Sequence, residues 1–257
     1  MGSGIAQVFA QNGFDTILFD VNNEVLKSAE NKIKKYSSAA VEKISFTSAL
    51  IDCKANLIIE AIIENENVKA DLLNDLIGIN DATTIFATNT SSLSVTAIAE
   101  KISNRQQFAG MHFFNPAPLM KLVEIISTKY TSDSTIEFLS GLTKLTGKTP
   151  VLCKDSPGFI VNRVARPYYL EALHLIEHNI SDIETIDRLM EATGFRMGPF
   201  KLMDLIGNDI NFSVSCIVHD ALGKPERLRP SSVQEKKVKE GALGRKSGKG
   251  YYEYPGI

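Results

Sequence analysis

Between Thr16 and Asp155 the sequence keeps changing its period. Short β-rich runs, "TILFD" (16–20), "ANLIIEAI" (55–62), "TIFATNT" (84–90), "FAGMHFF" (108–114) and "TPVLCKD" (149–155), alternate with stretches at helical spacing that start near Asn23, Glu66 and Ser94. Few folds accept that order. Parallel strands need a crossover between each pair, and crossover helices cover both faces of the sheet, so this half is expected to be a doubly wound α/β sheet. From Pro157 to about Gly241 nearly every segment reads at helical spacing instead, from "PGFIVNRVARPYYLEALHLIEH" through "SDIETIDRLMEATG". The expected organisation is therefore an α/β domain over residues 1–155 and an all-helical domain over 156–257.

Composition removes several classes of function. The 28 basic and 30 acidic residues are evenly mixed and leave a net charge of -2, so no broad positive field exists for nucleic acid or an anionic membrane. Cys53, Cys153 and Cys216 are odd in number and far apart, which supports neither a disulfide framework nor a cysteine zinc site. No apolar run reaches the length of a membrane span and no signal-peptide pattern opens the chain, so a cytoplasmic protein is expected.

The opening "MGSGIAQVFAQNGFDTILFD" has the helix, the Asn12-Gly13 turn and the second strand of a dinucleotide-binding βαβ unit. Asp20 closes that strand eighteen positions after Gly2, where an acidic residue takes a ribose 2′-hydroxyl and disfavours a 2′-phosphate, which favours NAD over NADP. With Gly2 as the third glycine of the fingerprint, its first strand and first two glycines have no counterpart in the sequence, and a Rossmann-like sheet with the first strand missing is expected. The segment also reads as a glycine-containing helix start with no ligand.

One stretch looks chemical. In "GMHFFNPAPLMKLVEI" a lone His112 precedes an Asn-Pro step, and Glu124 follows twelve positions on. If the chain turns through Asn115-Pro116 and Pro118 and returns as the strand "KLVEII", the carboxylate comes back beside the imidazole, as a proton acceptor and the group that orients it. "ATNTSS" (87–92) brings Asn89, Thr90, Ser91 and Ser92 to the same carboxyl edge of the sheet, where doubly wound folds bind ligands. A core histidine and ordinary helix caps, Ser92 or Ser94 among them, are the plainer reading of the same residues. In "KDSPGFIVNR", Asp155 or Ser156 is expected to cap a helix starting at Pro157, with Asn162 about one turn in.

Taken together, "TNTSSL", "HFFNPAPLMKLVEI", "DSPGFIVNR", "MGPFKLMDLIG" and "GRKSGKGYYEY" resemble the L-3-hydroxyacyl-CoA dehydrogenase family, in particular its bacterial 3-hydroxybutyryl-CoA members, over almost the whole chain. The resemblance implies NAD-dependent oxidation of an L-3-hydroxyacyl-CoA, or the reverse reaction, in fatty acid or butyrate metabolism. It implies that His112 is the catalytic base and Glu124 its partner, that Ser91 and Asn162 hydrogen-bond the reacting oxygen and that Asn115 places the substrate. It further implies that Gly2, Asp20, Glu64, Lys69, Ser91 and Lys246 line the NAD site, and that the helical domain forms a homodimer. The sequence departs from the family in the missing first strand and in a shortened coenzyme A arm: only "KSAENKIKKYSSAAVEKISF" follows the second strand's helix, with Lys32, Lys34 and Lys35 as candidate phosphate contacts.

Two other classes fit parts of the chain. "HLIEH" places His174 and His178 at i and i+4 with Glu177 between them, as in an inverted zinc peptidase motif, although no third ligand is evident. A non-catalytic relative would keep the helical domain as an assembly module.

Overall fold

The computed structural model describes residues 1–255. It divides into two compact units, Met1–Ser156 and a second beginning at Pro157, one residue later than the sequence suggests. Among the described residues no helix is long and apolar enough to cross a membrane.

The first unit runs α1 (Gly2–Gln11), β1 (Thr16–Phe19), α2 (Asn23–Tyr36), α3 (Ser38–Val41), β2 (Ile44–Thr47), β3 (Leu57–Glu60), α4 (Glu66–Ile79), β4 (Ile85–Thr88), α5 (Val95–Glu100), β5 (Phe108–Phe113), β6 (Leu122–Ser127), α6 (Asp133–Leu145) and β7 (Thr149–Lys154). Strands β3 to β7 form one sheet in sequence order, while β1 and β2 form a separate parallel pair. Within the larger sheet β6 runs antiparallel to β5 and every other pairing is parallel. The reversal follows from the connection: the eight residues from Phe114 to Lys121 contain no helix, too little for a crossover but enough for a turn.

Central strand β5 is buried at every position, as a strand covered on both faces must be. Its Gly110 is fixed by close approach, because a Cβ there would come within 2.8 Å of Ile126 and 3.0 Å of Val95. Ile5, Val8 and Phe9 of α1 pack with Ala109, Met111, Phe113, Val123 and Ile125 in the main core. The α1 N-terminus lies by the carboxyl ends of both sheets, since a Cβ on Gly2 would meet Leu18 and Ala61, each at 3.9 Å.

The second unit comprises α7 (Val161–Glu177), α8 (Ile183–Ala192), α9 (Pro199–Ile206), α10 (Asn208–Ala221) and α11 (Ser232–Lys239). Leu170, Leu173, Phe200, Met203 and Val218 centre its core. Helix α7 starts later than the sequence suggests, and neither Asp155 nor Ser156 is its N-cap residue. Gly158 (φ 73°) and Phe159 (φ 46°) occupy the left-handed region and break the first turn, so Ile160 is the N-cap residue, without a side-chain cap. The Asp155 carboxylate instead accepts from the Thr96 amide (2.8 Å) and Ser94 hydroxyl (2.7 Å), tying the end of β7 to the start of α5.

Candidate active site

His112 and Glu124 are direct register partners across the β5 and β6 pair. Because side chains alternate along a strand, partners in register share a face, and here that face is interior: His112 is 5% exposed and Glu124 0%. Their contact is 2.8 Å between Nδ1 and Oε2. A carboxylate in this place accepts from the tautomer protonated on Nδ1, which leaves Nε2 as that tautomer's acceptor. The Phe114 ring lies 4.5 Å from the imidazole, centroid to centroid. Next to this pair on β7, burial and the neighbouring Glu124 and Asp155 push the Cys153 thiol up to about 12, which keeps it protonated and removes it as a rival nucleophile.

The end of β4 is tied to the same place: Asn89 Oδ1 accepts from the Phe113 amide (2.8 Å). Beyond it Glu64 Oε1 accepts from the Ser91 amide (2.9 Å), the Ser91 hydroxyl (3.1 Å) and the Thr90 hydroxyl (2.9 Å). The Ser91 proton is therefore directed at Glu64. Lys69 is 1% exposed and is held by Glu60 Oε1 (2.8 Å), the Ile62 carbonyl (3.3 Å) and Glu64 Oε2 (3.3 Å). Thr88 donates to the other Glu60 oxygen (2.6 Å). Glu64, Lys69 and Ser91 thus belong to one connected network, with Lys69 beneath its surface.

Asn115 is exposed immediately after β5, and Asp20 follows β1 half-buried, its Oδ1 accepting from the Asn22 amide (2.9 Å). Asn162 and Lys246 belong to the second unit. Asn162 is the second residue of α7, and its carbonyl accepts from buried Arg166 (3.0 Å). The Lys246 ammonium pairs with Asp209 (2.7 Å) in the first turn of α10. The "HLIEH" residues do different work. Glu177 accepts from Ser231 (2.7 Å), the Ser232 amide (2.9 Å) and Arg229 (3.2 Å), and His178 is exposed at the end of α7. Among the described residues no group of three or more His, Cys, Asp or Glu side chains is placed to hold a metal ion.

Two residues here escaped sequence reasoning. Glu60 carried a signal, a single carboxylate ending the otherwise apolar "LIIE". Lys148, 8% exposed and bonded to the carbonyls of Ala117 and Met120, carried none, because "TGKTP" reads as a turn.

The family described as 3-hydroxyacyl-CoA dehydrogenase, NAD binding domain, matches residues 1–156, and its C-terminal domain matches residues 158–254. The 3-hydroxyadipyl-CoA dehydrogenase of Escherichia coli is 43% identical over 270 residues, a match covering 99% of this chain and 57% of that protein. A probable 3-hydroxybutyryl-CoA dehydrogenase of Deinococcus radiodurans is 40% identical over 269 residues, covering 99% of this chain and 96% of that protein. The crystal structure of 3-hydroxybutyryl-CoA dehydrogenase from Escherichia coli superposes with a TM-score of 0.93 at 41% identity, over 100% of this chain and 58% of that one. This chain thus spans little more than half of the Escherichia coli proteins and nearly all of the Deinococcus protein.

Proposed function

This chain belongs to the 3-hydroxyacyl-CoA dehydrogenase family, and from that premise we propose that it oxidises the 3-hydroxyl of an L-3-hydroxyacyl-CoA to the ketone with NAD, or runs the reverse reduction. The observation that carries the reading is the buried contact between His112 and Glu124. NAD, when bound, supplies the hydride chemistry. The residues fit that cofactor: no side chain caps the N-terminus of α1, where a pyrophosphate is favoured, and Asp20 offers a carboxylate to a ribose hydroxyl.

The chain's own residues handle the proton. His112 Nε2 takes it from the substrate hydroxyl, and Glu124, acceptor to Nδ1–H, stabilises the imidazolium and keeps the ring in orientation. In the reducing direction the imidazolium returns the proton to the alkoxide. Ser91 and Asn115 at the same sheet edge position the reactants. Glu64 and Lys69 hold the cofactor side of the site through Ser91. A non-catalytic assembly module would have no use for a buried histidine and carboxylate held in this way.

We place the enzyme in the cytoplasm, in fatty acid or butyrate metabolism; its three free thiols suit a reducing compartment. Leu205, Ile206 and Ile210, exposed on α9 and α10, support self-association as a homodimer. The decisive assay follows NADH formation at 340 nm with L-3-hydroxybutyryl-CoA and NAD. Steady turnover is expected, and its absence with substrates of every chain length would end the proposal.

A further inference from the structure

Lys148 is an expensive residue to keep. It is 8% exposed, and its ammonium donates to the carbonyls of Ala117 (2.6 Å) and Met120 (2.7 Å), with no carboxylate among the described residues paired to it. Burial pushes its pKa below the usual lysine range, and no charged neighbour offsets the shift. A desolvated, unpaired cation lowers stability, so what it touches is informative. Both carbonyls belong to the loop that leaves β5 after His112, passes Asn115 and returns as β6.

That loop has little else to hold its far side. Leu119 and Met120 are exposed, and their amides both donate to the Pro116 carbonyl (3.0 Å each), which rolls the loop upon itself. Ala117 is its one buried residue. Its inner face rests on the glycine-containing start of α1, where a Cβ on Gly4 would sit 3.4 Å from both Ala117 and Pro118. One ammonium thus fixes a segment that carries Asn115 at one end and meets α1 at its middle.

We propose that Lys148 is a positioning residue for the proposed dehydrogenase reaction: by clamping the carbonyls of Ala117 and Met120 it holds Asn115 where the substrate is bound, against the start of α1. It touches neither substrate nor cofactor, and its effect travels through the loop. The part concerning substrate rests on the functional reading above; the clamp itself does not.

Two measurements separate the parts. Hydrogen exchange of the parent protein, without any ligand, is expected to show protected amides at Leu119 and Met120 although both side chains are exposed; free exchange there would overturn the clamp whether or not any variant folds. Lys148→Met keeps the aliphatic stem and removes the donors. It is expected to speed exchange at these two amides and to raise KM for L-3-hydroxybutyryl-CoA about tenfold, while kcat falls by no more than about threefold. Lys148→Arg, which retains a cation and donors, is expected to recover most of the lost KM. A Lys148→Met protein that melts cooperatively but keeps the parent's exchange pattern and KM overturns the proposal. Faster exchange in Lys148→Met than in the parent, with no dehydrogenase activity in the parent itself, would leave the clamp standing and remove the functional reading instead.

Discussion

The chain contains two histidine and glutamate pairings of similar residue content and opposite use. His112 and Glu124 are twelve residues apart in sequence and adjacent in space, because an antiparallel register puts them on one interior face. His174 and Glu177 are three apart on α7, yet the carboxylate turns to Ser231, Ser232 and Arg229. In the first pair the carboxylate meets the imidazole directly, at 2.8 Å across the strand register. In the second the carboxylate joins α7 to the start of α11. Residue type alone does not separate the proposed catalytic dyad from a structural tie; the partners that the fold brings to each carboxylate do.

The sharpest way to break the comparison is to remove the base. His112→Gln is expected to lower kcat by about 10²- to 10⁴-fold and to leave KM within a few-fold, since base catalysis contributes in the transition state and little to ground-state binding. Steady-state kinetics with both substrates read this out, and turnover within a few-fold of the parent would take His112 out of the mechanism. Glu124→Gln comes next, with a loss of at least about tenfold and smaller than that at His112. The amide can donate to Nδ1 and so stabilise the wrong tautomer, with the proton on Nε2. A fold unchanged by circular dichroism together with lost turnover is the expected pattern, and full activity would reduce Glu124 to packing.

Most of this was legible in the sequence, for reasons that differ by level. Alternating periods gave the α/β half, and the switch at Pro157 gave the helical half to within one residue. The return of Glu124 to His112 was readable because Asn115-Pro116 marks a turn and period two fixes the face. The start of α7 was misread because Asp155 and Ser156 are ordinary caps by type, and only the folded chain shows Gly158 and Phe159 in the left-handed region. The contacts of Lys69 and Lys148 could not be read at all. Both depend on which carbonyls and carboxylates the tertiary fold brings to a buried ammonium, and no local pattern encodes that.

On the structural side of the comparison the expected effect is on stability. Burial alone would raise the Glu177 carboxyl, but hydrogen bonds from Ser231, Arg229 and Ser232 outweigh it and hold it down at about 2. A carboxyl depressed on folding contributes stability above its unfolded pKa and loses it as the pH falls toward the folded value, here from about 4.5 down to about 2. Glu177→Gln should therefore destabilise the protein by roughly 1–2 kcal/mol at neutral pH and flatten that part of its acid-unfolding profile, while kcat stays within about twofold. Urea titrations at pH 7 and near pH 3 test this; an equal destabilisation at both would show that the charge is not what Ser231 and Arg229 recognise.

The smallest effect should come from His178, and it is the one that decides between the two meanings of "HLIEH". The ring is exposed at the C-cap of α7, where its removal leaves no buried contact unfilled. A zinc peptidase would need this residue as a ligand, and its Glu177 would have to face the metal-bound water. That carboxylate is instead committed to α11 and the turn before it. His178→Ala is accordingly expected to keep dehydrogenase activity within about twofold and stability within about 0.5 kcal/mol, with essentially no zinc in either protein by elemental analysis. About one zinc per chain in the parent, lost together with activity in the variant, would reverse the comparison and make the helix rather than the sheet edge the seat of chemistry.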